Sequence, residues 1–227
     1  MSDLSRRILF AGDPHGDFQA IIEAVGQFQP EAVILLGDCE LSAPLESQLG
    51  RVLDLTDVWW IPGNHDFDDH DRHRFLFASA LADKNLHLNV KTIAGLRVAG
   101  LGGIFLGRVW YPPRAPRWHS KQDYLAQQPQ HLRELGLSLK MRSAIWYDEV
   151  QQLKKHQADI LVTHEAPGCH RYGFTALDEL ARHLRVKQLY HGHQHDAYQA
   201  WLSPSIQVVG VAKRAVADLA GACVLAA

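Results

Sequence analysis

The sequence predicts an α/β fold, and two observations support this prediction. Short apolar runs alternate with longer segments of helical periodicity along most of the chain, which is typical of strands and helices packed on one another. The C-terminal part carries short apolar runs without helices between them, which favours antiparallel strands. No linker, repeat or charge run divides the chain. We therefore predict buried sheets in a single domain over residues 1–227.

The elements can be placed in order along the chain. The apolar run at 8–11 predicts a buried strand that ends at Gly12, and Asp17 is placed to cap a helix reaching Phe28. Apolar runs that stop at glycine or proline predict further buried strands at 32–36 and 58–61. The remaining predictions are a helix at 71–82, strands at 86–90 and 96–101 around an Ala94-Gly95 turn, a helix at 143–156, a strand at 160–163, a helix at 175–184, and strands at 186–190, 198–202, 207–211 and 223–226.

Residues 102–138 lack a clear period and contain four prolines. We predict an irregular insertion of loops with one short helix. Arg108, Arg114 and Arg117 alternate with tryptophans in this segment. Arginines can hold phosphate and aromatic rings can stack a base, so the three arginines are candidate substrate contacts. The alternative is a proline-stiffened surface loop whose arginines cover its own tryptophans.

Composition excludes several classes of protein. A hydrophobic fraction of 47% is too high for a disordered chain, and no apolar run approaches the roughly 20 residues that a membrane span requires. A net charge of −2 argues against long nucleic acid as a partner. The three cysteines are widely spaced, and the apolar run at 8–11 is too short for a secretory signal. We expect a cytoplasmic protein without membrane partners or a disulfide framework.

Polar side chains follow five of the predicted strands, at the ends where such folds carry their functional groups. These side chains are Asp13 and His15 after the first strand, Asp38 after the second, Asn64 and His65 after the third, His164 after the strand at 160–163, and His193 and His195 after the strand at 186–190. Each one alone is typical of a turn or a loop. Their joint occurrence at successive strand ends instead predicts one shared site.

This set of donors predicts the kind of metal. Imidazole nitrogens with carboxylate and amide oxygens, and without thiolates, suit manganese, iron, zinc or nickel. Seven of these eight side chains are already too many donors for one tetrahedral ion and suit two ions that share a carboxylate. Such a pair clamps the attacking and leaving oxygens of phosphoryl transfer. We expect two divalent metal ions, with manganese first and iron, zinc or nickel as alternatives.

The blocks Asp13-x-His15, Gly37-Asp38, Gly63-Asn64-His65-Asp66, His164 and Gly192-His193-x-His195 resemble the calcineurin-like metallophosphoesterase superfamily in residues and in order. The resemblance implies a four-layer α/β/β/α sandwich of two mixed sheets flanked by helices. It implies a first metal on Asp13, His15 and His195, a second on Asn64, His164 and His193, and Asp38 as the bridge between them. It also implies that His65 faces the substrate, as a proton donor to the leaving oxygen or as a clamp on the phosphate.

The implied activity is hydrolysis of a phosphate ester by in-line attack of a metal-bound hydroxide. We expect a small phosphorylated or nucleotide substrate, and monoesterase and diesterase activities both remain open. His170 follows the His164 block and is a further candidate substrate contact. A protein Ser/Thr phosphatase acting on a phosphoprotein is one alternative. A non-catalytic metal-binding relative is the other.

The sequence departs from the Ser/Thr phosphatases of this superfamily at two places. Those enzymes extend the Gly-Asp block with a further Asp and an Arg-Gly, whereas here Asp38 is followed by Cys39 and Glu40. They also carry Glu where this chain has Asp66. The carboxylate that orients the catalytic histidine in those enzymes is therefore absent from its matching place. Glu40 and Asp66 are the candidates to replace it.

Overall fold

The computed structural model describes residues 4–226, and its strands form two sheets. The strands are β1 (Ile8–Ala11), β2 (Ala32–Leu35), β3 (Asp57–Trp60), β4 (Val90–Ile93), β5 (Leu96–Leu101), β6 (Ile160–Thr163), β7 (Gln188–His191), β8 (Tyr198–Ser203), β9 (Ile206–Gly210), β10 (Ala215–Ala217) and β11 (Cys223–Ala226). The first sheet has the order β11-β10-β1-β2-β3, and the second has the order β4-β5-β6-β7-β9-β8.

Both sheets are mixed, with parallel strands at their centres. In the first sheet β1, β2 and β3 are parallel, whereas β10 pairs antiparallel with β1. In the second sheet β5, β6, β7 and β9 are parallel, and β4 and β8 are antiparallel edge strands. Parallel neighbours end at the same edge of a sheet, so the loops that follow them come together there.

Eight α-helices accompany the sheets within the described residues. They are α1 (Gln19–Phe28), α2 (Leu45–Leu49), α3 (His70–Phe77), α4 (Lys121–Ala126), α5 (Gln130–Leu135), α6 (Leu139–Arg142), α7 (Tyr147–Leu153) and α8 (Thr175–Leu184). Buried residues of α1 pack in one apolar cluster with the outer face of the first sheet. Those of α7 and α8 pack with the outer face of the second sheet.

A third apolar cluster lies between the two sheets. In β1, Ile8 and Phe10 belong to this inner cluster, whereas Leu9 and Ala11 face the helices. Phe10 stacks on Tyr190 of β7 across the sheets, with ring centroids 3.6 Å apart. Because both faces of the central strands are covered, these strands are continuous apolar runs rather than alternating ones. The molecule is therefore a four-layer α/β/β/α sandwich, which confirms the predicted fold class.

Most predicted elements are confirmed, several of them with different ends, whereas α2 and α6 lie outside every predicted element. The strands at 8–11, 160–163 and 223–226 and the helix at 175–184 have the predicted bounds. The helices predicted at 71–82 and 143–156 are shorter, as α3 and α7 show. The strand predicted at 86–90 is wrong, because the pairing with β5 begins only at Val90. The short strand β10, at 215–217, lies outside every predicted element.

The segment 102–138 differs from the prediction of one short helix, because it contains both α4 and α5. Phe105, Val109 and Trp110 of this segment are buried in the apolar cluster on the outer face of the second sheet. These aromatic and apolar residues anchor the segment without a regular period, which is why sequence periodicity did not reveal their burial.

The three cysteines are unpaired, as expected from their spacing. Over residues 4–226 the helices are too short or too polar to qualify as membrane spans.

Candidate metal centre

The predicted donors converge at the carboxyl ends of the central strands of both sheets. Ligand atoms of Asp38, His164 and His193 lie within 4.8 Å of one another. His164 Nε2 lies 3.2 Å from Asn64 Oδ1 and 3.4 Å from Asp38 Oδ2. These four residues come from loops after β2, β3, β6 and β7. The structure thus places donors from both sheets in one small volume.

The remaining three donors lie beside this group. His195 Nε2 lies 3.1 Å from His15 Nε2 and 3.6 Å from Asp13 Oδ2. Asp13 Oδ1 in turn lies 3.7 Å from His164 Nδ1. All seven residues that the sequence predicted as ligands are therefore brought together.

The backbone at several of these residues has an unusual conformation. Asp13, His15, Asp38, His193 and His195 all have positive φ, between 31° and 65°. Non-glycine residues in this region are uncommon and cost free energy, and such strain clusters at functional sites. The local backbone is thus shaped to direct side chains into the centre.

A hydrogen bond sets the orientation of His164. Its Nδ1 donates to the carbonyl oxygen of Leu36 at 2.8 Å, which directs Nε2 at the other donors. Burial alone would lower the pKa of His164, but the carboxylates of Asp38 and Asp13 outweigh it and raise the pKa to about 10. The raised pKa indicates that negative charge is concentrated around His164, and such charge attracts cations.

Asp13 tests whether these residues fit a metal. Its Oδ2 accepts a hydrogen bond from the His193 backbone N–H at 2.7 Å, whereas Oδ1 is buried with no hydrogen-bond partner. Burial is the main reason that the pKa of Asp13 rises to about 7. A buried carboxylate oxygen without a partner is costly unless a cation neutralises it. The donor set therefore fits divalent metal ions.

The imidazole of His193 is in the protonation state that metal binding requires. Burial, together with the charge of His164, lowers the pKa of His193 to about 3. A metal binds the neutral form of histidine. His193 therefore needs no deprotonation at neutral pH to serve as a ligand.

Two glycines allow the loops to approach closely. A Cβ on Gly37 would lie 2.6 Å from both the Gly63 nitrogen and His164 Nδ1, and the φ of Gly37 is +104°. A Cβ on Gly63 would lie 2.6 Å from His164 Cε1 and would also overlap the Asp38 carboxylate. Both glycines are thus required by the close packing around Asp38 and His164.

We expect Gly63→Ala to destabilise the protein by about 1–3 kcal/mol, the usual cost of overpacking. The added methyl group must displace either Asp38 or His164, so metal binding should weaken as well. Thermal unfolding with and without added Mn²⁺ measures both effects. Gly107→Ala is the matched control, because a Cβ there meets nothing within 4 Å. Equal unfolding midpoints for the two variants would contradict this account.

His65 lies at the edge of the centre, with its side chain 41% exposed. Its backbone N–H donates to Asp38 Oδ1 at 2.8 Å, and its ring centroid is 5.6 Å from that of His15. Its Nδ1 donates to Asp68 Oδ2 at 2.6 Å. Partial burial acts against a charge on the ring, but the hydrogen bond to Asp68 and the charge of Asp38 raise the pKa of His65.

Asp68 is therefore the carboxylate bound to His65, and the expectation of Glu40 or Asp66 is wrong. Glu40 contacts Nδ1 of His15 instead.

Asp66 is buried and binds backbone groups of two loops instead of the His65 ring. It accepts hydrogen bonds from the backbone N–H groups of Cys39, Glu40 and Gly63, at 2.8, 3.3 and 2.8 Å. It thus ties the Asp38 loop to the Asn64 loop.

Within residues 4–226, the predicted substrate contacts form no hydrogen bond or ion pair with these donors. Arg108, Arg114 and Arg117 are exposed, and within residues 4–226 their guanidinium groups form no hydrogen bonds or ion pairs. His170 is 3.1 Å from Asp196 Oδ2 and stacks on the Tyr198 ring. Their roles in substrate binding stay predictions.

Sequence reasoning missed three charged residues near the donors. They are Asp68, Arg72 and the buried Glu165, whose Oε2 lies 3.9 Å from His193 Nε2. The position of Asp68 three residues after His65 was the available signal, because a helical turn brings such residues together.

Comparison with known proteins supports the same family. The chain matches the family described as calcineurin-like phosphoesterase over residues 6–197. A Haemophilus influenzae protein described as uncharacterized is 35% identical over 215 residues, covering 94% of both chains.

Two solved structures share the fold. The protein TT1561 of Thermus thermophilus has a TM-score of 0.59 at 19% identity, covering 95% of this chain and 96% of that chain. A dimetal phosphatase from Danio rerio has a TM-score of 0.60 at 15% identity, covering 93% and 92%. The family match confirms the resemblance, and the chain belongs to the calcineurin-like phosphoesterase family.

Proposed function

We propose that this protein is a dinuclear metal-dependent phosphoesterase that hydrolyses a small phosphorylated or nucleotide substrate. One observation carries the proposal: ligand atoms of Asp38, His164 and His193 lie within 4.8 Å of one another, and the nearby Asp13 has a buried oxygen without a hydrogen-bond partner. Family membership supports the reaction class. The apolar layer shared by both sheets supports a single domain over residues 1–227.

The residues divide into two ligand sets. Asp13, His15 and His195 would hold the first ion, and Asp38 would hold both. Asn64, His164 and His193 would hold the second ion. Two divalent ions, with manganese as the first choice, supply charge neutralisation and an activated water when bound.

His65 would act on the leaving group. Its Nδ1 is engaged by Asp68, so Nε2 is the nitrogen left to meet a substrate. Its raised pKa favours the protonated ring, which can donate a proton to the leaving oxygen. The partial exposure of the side chain leaves a path for substrate.

Three exposed arginines support a phosphorylated substrate. The exposed Arg108, Arg114 and Arg117 carry charge that no other side chain of residues 4–226 neutralises. Guanidinium groups recognise phosphate oxygens well. The unpaired cysteines support a reducing compartment, and we propose a cytoplasmic location.

A substrate panel tests the proposal. The protein is loaded with Mn²⁺, its metal content is verified, and it is assayed on p-nitrophenyl phosphate, its bis ester, cyclic nucleotides, dinucleoside polyphosphates and a phosphopeptide. We expect hydrolysis of at least one small ester. Preference for the phosphopeptide would favour a protein phosphatase. Failure to hydrolyse every member with both metals bound would contradict the enzyme and favour a binding role.

A further inference from the structure

Arg72 lies between two carboxylates that each hold a histidine of the candidate metal centre. Its Nη1 is 3.1 Å from Glu40 Oε2 and 3.5 Å from Asp68 Oδ2. Glu40 contacts Nδ1 of His15, and Asp68 accepts from Nδ1 of His65. One guanidinium group therefore connects two imidazoles that come from different loops.

Arg72 is itself held firmly. It lies in the first turn of α3, where its backbone N–H donates to Asp69 Oδ1 at 2.8 Å. Its Nε lies 3.3 Å from Asp69 Oδ2. Its side chain is 31% exposed, so water does not fully screen these contacts. A planar guanidinium with several donors can hold two carboxylates at once, which the compact ammonium of lysine does less well.

Asp68 gains its orientation from this contact. Its side chain is 40% exposed, and a carboxylate with that exposure would otherwise turn toward solvent. Held by Arg72, it keeps Oδ2 on the Nδ1 side of His65. A carboxylate at one ring nitrogen determines both the ring orientation and which nitrogen faces the reaction.

We propose that Asp68 is the positioning residue of His65, and that Arg72 is required because it holds Asp68 in place. This inference rests on the proposed function, in which His65 serves the leaving group. A water oxygen bonds to phosphorus as the bond from phosphorus to the leaving oxygen breaks, and the proton on Nε2 passes to that leaving oxygen. The proton released by the attacking water then returns to Nε2 through solvent. Asp68 keeps its own charge throughout and only holds the ring.

The first test compares leaving groups. For Asp68→Asn in the Mn²⁺-loaded enzyme, we expect kcat on a phenyl ester to fall by about 10–100-fold, the usual cost of losing a supporting partner. On the p-nitrophenyl ester we expect only a few-fold loss, because a good leaving group needs little protonation. KM and metal content should stay unchanged. The phenyl and p-nitrophenyl esters are both monoesters or both diesters, according to the class that the wild-type enzyme hydrolyses.

Arg72→Gln should show a smaller loss with the same dependence on the leaving group. Asp71 and Arg74 are a matched control pair, because they form a 3.0 Å ion pair on the same helix. Within residues 4–226, neither of their side chains forms a hydrogen bond or an ion pair with His15 or His65. Asp71→Asn and Arg74→Gln are expected to leave kcat on both esters unchanged.

A second test does not depend on activity. In the zinc-loaded protein, which is suited to NMR because Zn²⁺ is a closed-shell ion, the Nδ1 chemical shift of His65 should change in Asp68→Asn and Arg72→Gln. It should stay the same in Asp71→Asn.

Equal losses on both esters, or an unchanged Nδ1 shift in Asp68→Asn, would overturn the inference. A wild-type enzyme that holds both metals and hydrolyses neither these esters nor any other member of the substrate panel would instead contradict the proposed function, before any variant is compared.

Discussion

The Asp38→Asn variant is expected to lose both metal ions together and, with them, measurable hydrolysis. Asp38 lies between the two proposed ligand sets, with Oδ1 accepting from the His65 backbone N–H and Oδ2 facing His164 Nε2. An amide has no net charge and only one oxygen. Since changing a residue that merely supports a ligand costs about 10–100-fold in metal affinity, losing a shared ligand should cost more.

Elemental analysis of dialysed protein measures this effect directly, as moles of metal per mole of chain. Asp178→Asn is the matched control, because Asp178 is also buried and accepts a backbone N–H, from Gly168 at 2.7 Å, outside the proposed ligand set. The control should keep both ions. Selective loss of one ion from Asp38→Asn would show that Asp38 serves a single metal and is not the bridge.

The His65→Asn variant is expected to lower kcat by about 10²–10⁴-fold, the range that general acid catalysis contributes. Both metals should remain bound, because His65 approaches the donors through its backbone N–H while its ring is paired with Asp68. The measurements are kcat on the best substrate of the panel and metal content on the same sample.

His70→Asn provides the control, because His70 is an exposed histidine five positions further along the chain, at the start of α3. It should retain wild-type kcat. If His65→Asn instead lost a metal ion, His65 would belong to the ligand set and its proposed role as proton donor would be wrong.

The fold was largely predictable because the central strands are buried on both faces. Such strands are continuous apolar runs, so β1, β2 and β6 could be predicted from the sequence pattern alone. The helix at 175–184 was visible from its apolar period. Prediction failed where pairing partners decide the structure, as in the strand that begins at Val90 instead of residue 86.

The proposed ligands were predictable for a related reason. Parallel strands of one sheet end at a common edge, so polar residues just beyond them must lie near one another. Asp13, Asp38 and Asn64 follow neighbouring strands of the first sheet, and His164 and His193 follow neighbouring strands of the second. Once the strands are recognised, their order in the sheets explains why these polar residues lie close together.

Sequence patterns were sufficient to predict the fold class, the strand ends that carry the donors and the family of the chain. These features follow from local pattern, from burial on both strand faces and from residues that stand immediately after strands. The carboxylate that holds His65, and the arginine that holds this carboxylate, were identified from the folded arrangement of the loops. Asp68 lies one 3-10 turn after His65. Arg72 of α3 contacts Glu40, which lies in the loop after β2. The spacing of three residues between His65 and Asp68 was a local signal, but the contact between Arg72 and Glu40 depends on side-chain directions in two separate segments, which no sequence period encodes.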